Sequence, residues 1–170
     1  MLAVEKTKLD GVLKITPPTV FEDFRGFYIE LYNEQLYTEA LEGVQFTQDD
    51  ISISSKHVLR GIHGDSHTYK LISCLMGRIY LVIVDCRETS PQFRQWESFI
   101  ISDKNHLQVL VPPGCGVAHL VLSEQAIFHY KQTSYYDRTS QFTLSWNDPL
   151  LNIWWPVKNP LLSRRDEGLE

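Results

Sequence analysis

The chain has 170 residues, a formal net charge of −5 and 43% hydrophobic residues. Length and composition suit one globular domain with a sizeable core and exclude a disordered chain. The acidic balance excludes a general basic surface for nucleic acid, so an anionic ligand has to be held by a local cluster of Arg and Lys.

Met1 to Asp10 alternates charged and apolar side chains without the apolar core of a signal peptide, and no apolar run approaches a membrane span. The expected compartment is the cytoplasm, with no membrane partner. Phe27 to Tyr32 alternates as a strand, with Phe27, Ile29 and Leu31 on one face. Asn33 is placed to cap a helix over Glu34 to Leu41. Strands are then predicted at Gln45 to Ser54, Val58 to Gly64, Tyr69 to Leu75, Arg78 to Cys86 and Trp96 to Ile101. Further strands fit Leu107 to Val111, Val117 to Leu122, Ala126 to Thr133 and Gln141 to Trp146. Gly77 and the Pro112 to Gly116 run read as tight connections, and a short Pro-limited helix or tail closes the chain. Many short strands at hairpin-like spacing predict an all-β fold, a cupin-like jelly-roll barrel with short peripheral helices, as a single domain over residues 1–170.

Cys74, Cys86 and Cys115 are too far apart for a Cys-x-x-Cys site, and their odd number argues for reduced thiols. Cys74 and Cys86 read as small core hydrophobes, whereas Cys115 falls in a Pro/Gly loop where it is open to solvent.

The chemistry concentrates in Val58 to Lys70, which holds Arg60, His63, His67 and Lys70. An imidazole has the pKa needed to take a proton from carbon beside a ketone near neutral pH, and a carboxylate on its other ring nitrogen fixes its tautomer. Asp166 is a candidate for that carboxylate. Arg60 and Lys70 suit a phosphate and a developing oxyanion. Tyr130 can donate a phenolic proton into a cavity, and Tyr136 can stack on a base or sugar. Taken singly, each has a plainer reading: a backbone-bonded histidine, solvated surface charges, an aromatic filling the barrel. Strict alternation also puts Arg60 and His63 on opposite faces of their strand, so they converge only if it bends, and Gly61 is the place for a bulge. A metal set of His63, His67 and His119 is the rival arrangement, although the His-x-His element of metal-binding cupins is absent.

As a set, these residues resemble the dTDP-4-dehydrorhamnose 3,5-epimerase family of cofactor-free sugar-nucleotide epimerases. The landmarks are Phe21-Glu-Asp-Phe-Arg-Gly-Phe27, Gln48-Asp-Asp-Ile-Ser-Ile-Ser54, Leu59-Arg-Gly-Ile-His63, Tyr69-Lys-Leu71, Val84-Asp-Cys-Arg87, Pro112 to His119, Tyr130 to Tyr136, Trp146-Asn-Asp-Pro149 and Trp155-Pro156. The resemblance implies His63 as base, Tyr130 as acid, Asp166 as the partner of His63 and Lys70 at the enolate oxygen, with no cofactor and no metal. It also implies that Arg60 and His119 contact the diphosphate or sugar, and that Tyr136 stacks near the nucleotide base. Arg25, Glu30, Gln48 and Asp50 are implied as binding residues, with the early strand supplied by the other subunit of a homodimer.

Two positions depart from the family pattern. Gly64-Asp65 replaces an aromatic followed by Gln, which would leave room for a larger or differently oriented sugar and add a polar contact. Asp50 replaces an Asn, which would weaken recognition of a thymine base. This variant resembles capsule-pathway epimerases of GDP-linked 4-keto-heptoses, so the expected substrate is a GDP-4-keto-heptose, with a dTDP-linked 4-keto sugar as the other candidate ligand. A sugar-nucleotide binder without turnover and a metal-dependent cupin isomerase or dioxygenase are the competing classes.

Overall fold

The computed structural model describes residues 2–18 and 20–170. Its chain order begins β1 (Ala3–Lys6), β2 (Leu13–Thr16), β3 (Val20–Asp23), β4 (Gly26–Ile29) and α1 (Glu34–Ala40). It continues through β5 (Gln48–Ser55), β6 (Leu59–Gly64), β7 (Lys70–Met76), β8 (Arg78–Asp85), β9 (Trp96–Ser102), β10 (Gln108–Val111), β11 (Cys115–Val121), β12 (Gln125–Gln132) and β13 (Phe142–Thr143). One sheet runs β1-β2-β10-β7-β12-β5 and a second runs β13-β6-β11-β8-β9, while β3 and β4 form a separate hairpin. The named strands pair antiparallel, and the two larger sheets face each other across the core.

The period-2 alternation of β8 shows how one sequence serves two layers. Ile79, Leu81 and Ile83 enter the core between the sheets, with Leu9, Val12, Ile101, Val109 and Phe128. Tyr80, Val82 and Val84 point the other way, beneath a C-terminal segment carrying Leu151, Ile153 and Trp155. Both faces of β8 are therefore buried, and each fully buried Ile, Leu or Val contributes about 1.5–3 kcal/mol. Polar handles hold the C-terminal cover in place: the indole of Trp96 donates to the Leu151 carbonyl at 3.0 Å, and the Tyr80 hydroxyl to the Trp154 carbonyl at 2.9 Å. That cover carries the chain onward to Asp166.

On the outer face of the six-stranded sheet, α1 starts at Asn33, whose side chain accepts from the Leu36 N–H as expected of an N-cap. The helix lays Tyr37 against Ile15, Leu71 and Leu110. The Tyr37 hydroxyl bonds Gln108 Oε1 at 2.6 Å, so this buried aromatic keeps a polar partner. Among the described residues, no helix is long and apolar enough to cross a membrane.

Four strands differ from the sequence expectation. β1, β2 and β3 carry no clear strand signal, and β1 and β3 are exposed along their whole length, so burial imposes no pattern on them. The predicted Gln141 to Trp146 strand pairs only at Phe142–Thr143, after a 3₁₀ turn at Arg138–Ser140. Cys115 is not in an open loop; it begins β11 and is buried, and burial pushes its thiol up to about 12. Of the two forms expected for the close of the chain, the structure shows the tail, with turns over residues 164–168.

β6 does bend at Gly61. Its pairing with β11 matches His63 to Val117 and Arg60 to His119, with a register shift between them. Gly61 has φ +117°, and a Cβ there would collide with the Val117 carbonyl and with Ala118. Only glycine meets both demands. Gly61→Ala should destabilise the protein by about 2–4 kcal/mol, read from denaturant unfolding; a loss within error would mean that the bend tolerates a side chain.

Candidate active site

A cavity of about 530 Å³ opens between the sheets, where β5, β7 and β12 face β6 and β11. Its lining includes Asp50 and Ser52 from β5, Arg60 and His63 from β6, and Lys70 from β7. His119 comes from β11 and Tyr130 from β12; Tyr136 stands at the rim, and Asp166 arrives with the C-terminal segment. The bend at Gly61 is what lets Arg60 and His63 share this space.

His63 Nε2 lies 2.7 Å from Asp166 Oδ1. The Asp166 carboxyl is buried, and burial alone would push its pKa up. Hydrogen bonds from His63, from the Ser163 hydroxyl at 2.9 Å and from the Gly61 backbone outweigh burial and hold it below the usual carboxylate range. An ionised Asp166 accepts the Nε2 proton of His63, which leaves the lone pair on Nδ1.

Tyr130 takes the opposite direction. Burial, followed by the negative charge of Asp50, pushes its phenol up to about 12, so it keeps its proton at neutral pH. Lys70 Nζ sits 5.7 Å from the centre of the Tyr130 ring and makes no ion pair or hydrogen bond among the described residues. His119 stacks on Phe128 with ring centroids 3.9 Å apart and planes 9° from parallel. Burial, followed by the charge of Arg60, pulls its pKa down to about 3, so the ring is neutral and offers a hydrogen bond without a charge.

Four cations line the cavity, namely Arg60, Lys70, Arg138 and Arg165, against the carboxylates of Asp50, Asp166 and Glu170. A chain of net charge −5 thus gathers its positive groups where an anion can enter. Arg60 donates through Nε to Ser54 Oγ at 3.1 Å, and Arg165 bonds the Thr143 hydroxyl, so neither spends its charge on a carboxylate among the described residues. Arg138 pairs with Glu170 at 2.8 Å. Sequence reading missed Arg138 and Arg165. The only hint was that Arg165 adjoins Asp166.

Gln48 lies beside the cavity and bridges it to the rim: Nε2 donates to Asp50 at 2.9 and 3.1 Å, and Oε1 accepts the Tyr136 N–H at 3.0 Å. Arg25 and Glu30 are not brought to this chain's cavity. Arg25 sits at the tip of the β3–β4 hairpin and bonds Asp23, among the exposed Phe21, Phe24, Phe27 and Tyr28.

The Gly64-Asp65 expectation is overturned. Gly64 does not face the cavity; a Cβ there would meet the Cys115 carbonyl and the Phe142 ring, so glycine serves strand packing and makes no room for a sugar. Asp65 is buried beneath the turn that follows, where Oδ1 accepts the N–H groups of His67 at 3.0 Å and Thr68 at 2.7 Å. His67 also lies outside the cavity lining, so His63, His67 and His119 do not converge. Among the described residues, no group of three His, Cys, Asp or Glu side chains is placed to hold a metal ion.

Residues 6–170 match the family described as dTDP-4-dehydrorhamnose 3,5-epimerase. The chain belongs to this family. It is 41% identical over 167 residues to the dTDP-4-dehydrorhamnose 3,5-epimerase of Shigella flexneri, spanning 96% of this chain and 92% of the relative. Identity to the Salmonella typhimurium enzyme of the same name is 42% over 171 residues, 98% of this chain and 93% of the relative. The crystal structure of the dTDP-6-deoxy-D-glucose-3,5-epimerase from Legionella pneumophila in complex with dTDP-4-keto-L-rhamnose superimposes with a TM-score of 0.93 at 38% identity. It covers 99% of this chain and 91% of that one. The all-β fold is accordingly the cupin-like jelly roll of these epimerases, and the chain is an isomerase that acts on sugar nucleotides.

Two outcomes follow from this geometry. Gly64→Ala should lower stability by about 1–3 kcal/mol without changing which sugar is accepted; a changed substrate preference at full stability would restore the cavity role. Because Asp166 has a depressed pKa, its stabilising contribution is complete above the unfolded carboxylate value of about 4 and is lost as pH falls through the lower folded value. The gap in unfolding free energy between wild type and Asp166→Asn should therefore narrow as pH falls from about 5 to about 2.

Proposed function

We propose that this epimerase inverts C3, C5 or both of a nucleotide-linked 4-keto sugar through an enolate, with His63 as base and Tyr130 as acid. The observation that carries the reading is the 2.7 Å bond between His63 Nε2 and a buried, ionised Asp166 at the cavity wall. With Nε2 committed, the Nδ1 lone pair takes the proton from the carbon beside the C4 ketone, and the C–H electrons move onto the ketone oxygen. Lys70 neutralises the enolate oxygen, and Asp166 stabilises the imidazolium that forms. Tyr130 then protonates the same carbon from the opposite face, which inverts it; solvent resets both groups. The ketone itself supplies the acidity of the C–H bond, so no cofactor is required.

Arg60 and Arg165 suit the diphosphate, since a guanidinium can grip phosphate oxygens in pairs. The neutral His119 suits a sugar oxygen, and Tyr136 at the rim suits the base. The β3–β4 hairpin exposes a cluster of aromatic side chains that a second copy of the chain would cover. In such a homodimer, each hairpin would deliver Arg25 and Glu30 to the partner's cavity.

The relatives' names point to dTDP as the nucleotide. A GDP-linked 4-keto-heptose is the second reading, and Asp50 favours it. An ionised carboxylate only accepts hydrogen bonds, and guanine offers adjacent N1–H and N2–H donors where thymine has one N–H between two carbonyls.

The test is incubation of metal-stripped protein with dTDP- and GDP-linked 4-keto sugars in deuterated water, following C3 and C5 by NMR. Deuterium should enter at least one of these carbons, and His63→Asn should reduce entry by about 10³-fold or more. Tyr130→Phe should retain exchange while losing inversion. Exchange at neither carbon with any of these sugars would leave a binder without turnover, and exchange that needs added metal would support the metal-dependent class.

A further inference from the structure

We propose that Arg138 is a binding residue for the substrate's diphosphate, held at the cavity by Glu170 until the anion arrives and takes it over. The role rests on the reading above of this cavity as the site of a nucleotide-linked sugar.

Glu170 lines the same cavity as Arg60, Lys70 and Arg165. A carboxylate facing an incoming diphosphate repels it, so its place there is puzzling unless it serves a neighbour. That neighbour is Arg138, whose Nη2 lies 2.8 Å from Glu170 Oε2. The two side chains are 62% and 46% exposed, and an ion pair so open to water is held weakly. The Arg138 guanidinium makes no other hydrogen bond among the described residues. A diphosphate carries more negative charge and offers paired oxygens that a guanidinium grips two at a time, so the exchange favours the ligand.

The backbone on both sides of the pair is fixed, which leaves only the side-chain ends to move. Two residues before Arg138, the Tyr136 N–H donates to Gln48 Oε1 at 3.0 Å. Asp137 Oδ1 accepts the N–H and the hydroxyl of Thr139 at 2.9 and 2.7 Å, which starts the 3₁₀ turn and keeps Asp137 engaged away from Arg138. Glu170 arrives from a second turn. Gly168 has φ +76°, its N–H bonds the Arg165 carbonyl at 3.0 Å, and the Leu169 N–H bonds the Arg164 carbonyl at 2.9 Å. The same turn brings Arg165 and Asp166 to the cavity. The ion pair thus joins the rim that carries Tyr136 to the segment that carries Asp166. It also stands where the cavity adjoins a second one of about 420 Å³, since Arg138, Arg165 and Glu170 line both. Once released, Glu170 has that second cavity to turn into, and Arg138 meets the phosphates while Tyr136 meets the base.

The experiment measures the affinity of dTDP and GDP by titration calorimetry at one ionic strength, for the full chain as wild type, Arg138→Gln, Glu170→Gln and the double variant. Inorganic pyrophosphate, read by its competition with the bound nucleotide, separates the diphosphate from the base. Arg138→Gln should weaken the better nucleotide and pyrophosphate alike, by about 10-fold. Glu170→Gln should tighten both by about 3-fold. The double variant should bind as Arg138→Gln does, because Glu170 then has nothing to withhold. Arg138→Gln with wild-type affinity overturns the proposal, as does pyrophosphate that fails to compete or competes equally well after that substitution. Glu170→Gln with wild-type affinity, or with a gain that persists in the double variant, removes the holding role and also overturns it. Wild type that binds neither nucleotide does the same. These probes carry no sugar, so absence of deuterium exchange in a protein that binds them as expected would fail the enolate reading alone.

Discussion

The site depends on the close approach of β6 to β11 at Gly61. No side chain fits between that residue and the Val117–Ala118 backbone, and the positive φ there shifts the strand's register. A regular strand would send Arg60 and His63 to opposite faces of the sheet. The bend gives both to the cavity, and the Gly61 backbone also contributes to holding Asp166 ionised. One glycine therefore places the histidine proposed as base, places a cation and helps set the charge of the carboxylate behind that histidine.

Around that bend, neighbouring groups are driven to different protonation states by different surroundings. Asp166 is buried yet ionised because three hydrogen bonds converge on it. Tyr130 is half-buried beside the negative charge of Asp50 and stays a phenol. His119 is buried next to Arg60 and stays neutral. The proposed proton transfer across a sugar ring would use an ionised carboxylate behind the base, a protonated acid and an uncharged hydrogen-bonding ring, and burial combined with local charge produces all three. The C-terminal segment takes part twice: its indoles and aliphatic side chains cover β8, and its end brings Arg165 and Asp166 to the cavity.

Much of this was legible in the sequence wherever one face of an element is buried. Runs of β-branched and aromatic residues bounded by polar residues or Gly marked β5 to β12, Asn33 marked the start of α1, and the parity conflict between Arg60 and His63 pointed to Gly61. β1 and β3 were not legible because they are exposed along their length, so nothing in their composition records a buried face. Arg138 and Arg165 escaped because they reach the cavity only when the chain wraps back over the barrel. Gly64 was misread because the Phe142 ring that excludes a side chain there lies far along the sequence. Asp65 looked like a ligand contact, yet it faces the turn. His67 Nδ1 comes within 3.6 Å of Asp65, and His67 lies outside the cavity lining, so it stands beside the site.

The central claim is spatial: a histidine base and a tyrosine acid flank one sugar ring while Lys70 meets its C4 oxygen. A crystal structure with a bound nucleotide-linked 4-hydroxy sugar, which lacks the ketone and cannot turn over, tests it most directly. The account predicts His63 Nδ1 and the Tyr130 hydroxyl on opposite faces of the ring, with Lys70 Nζ about 3 Å from the C4 oxygen. A sugar with both groups on the same face, or one seated outside the cavity, would contradict it.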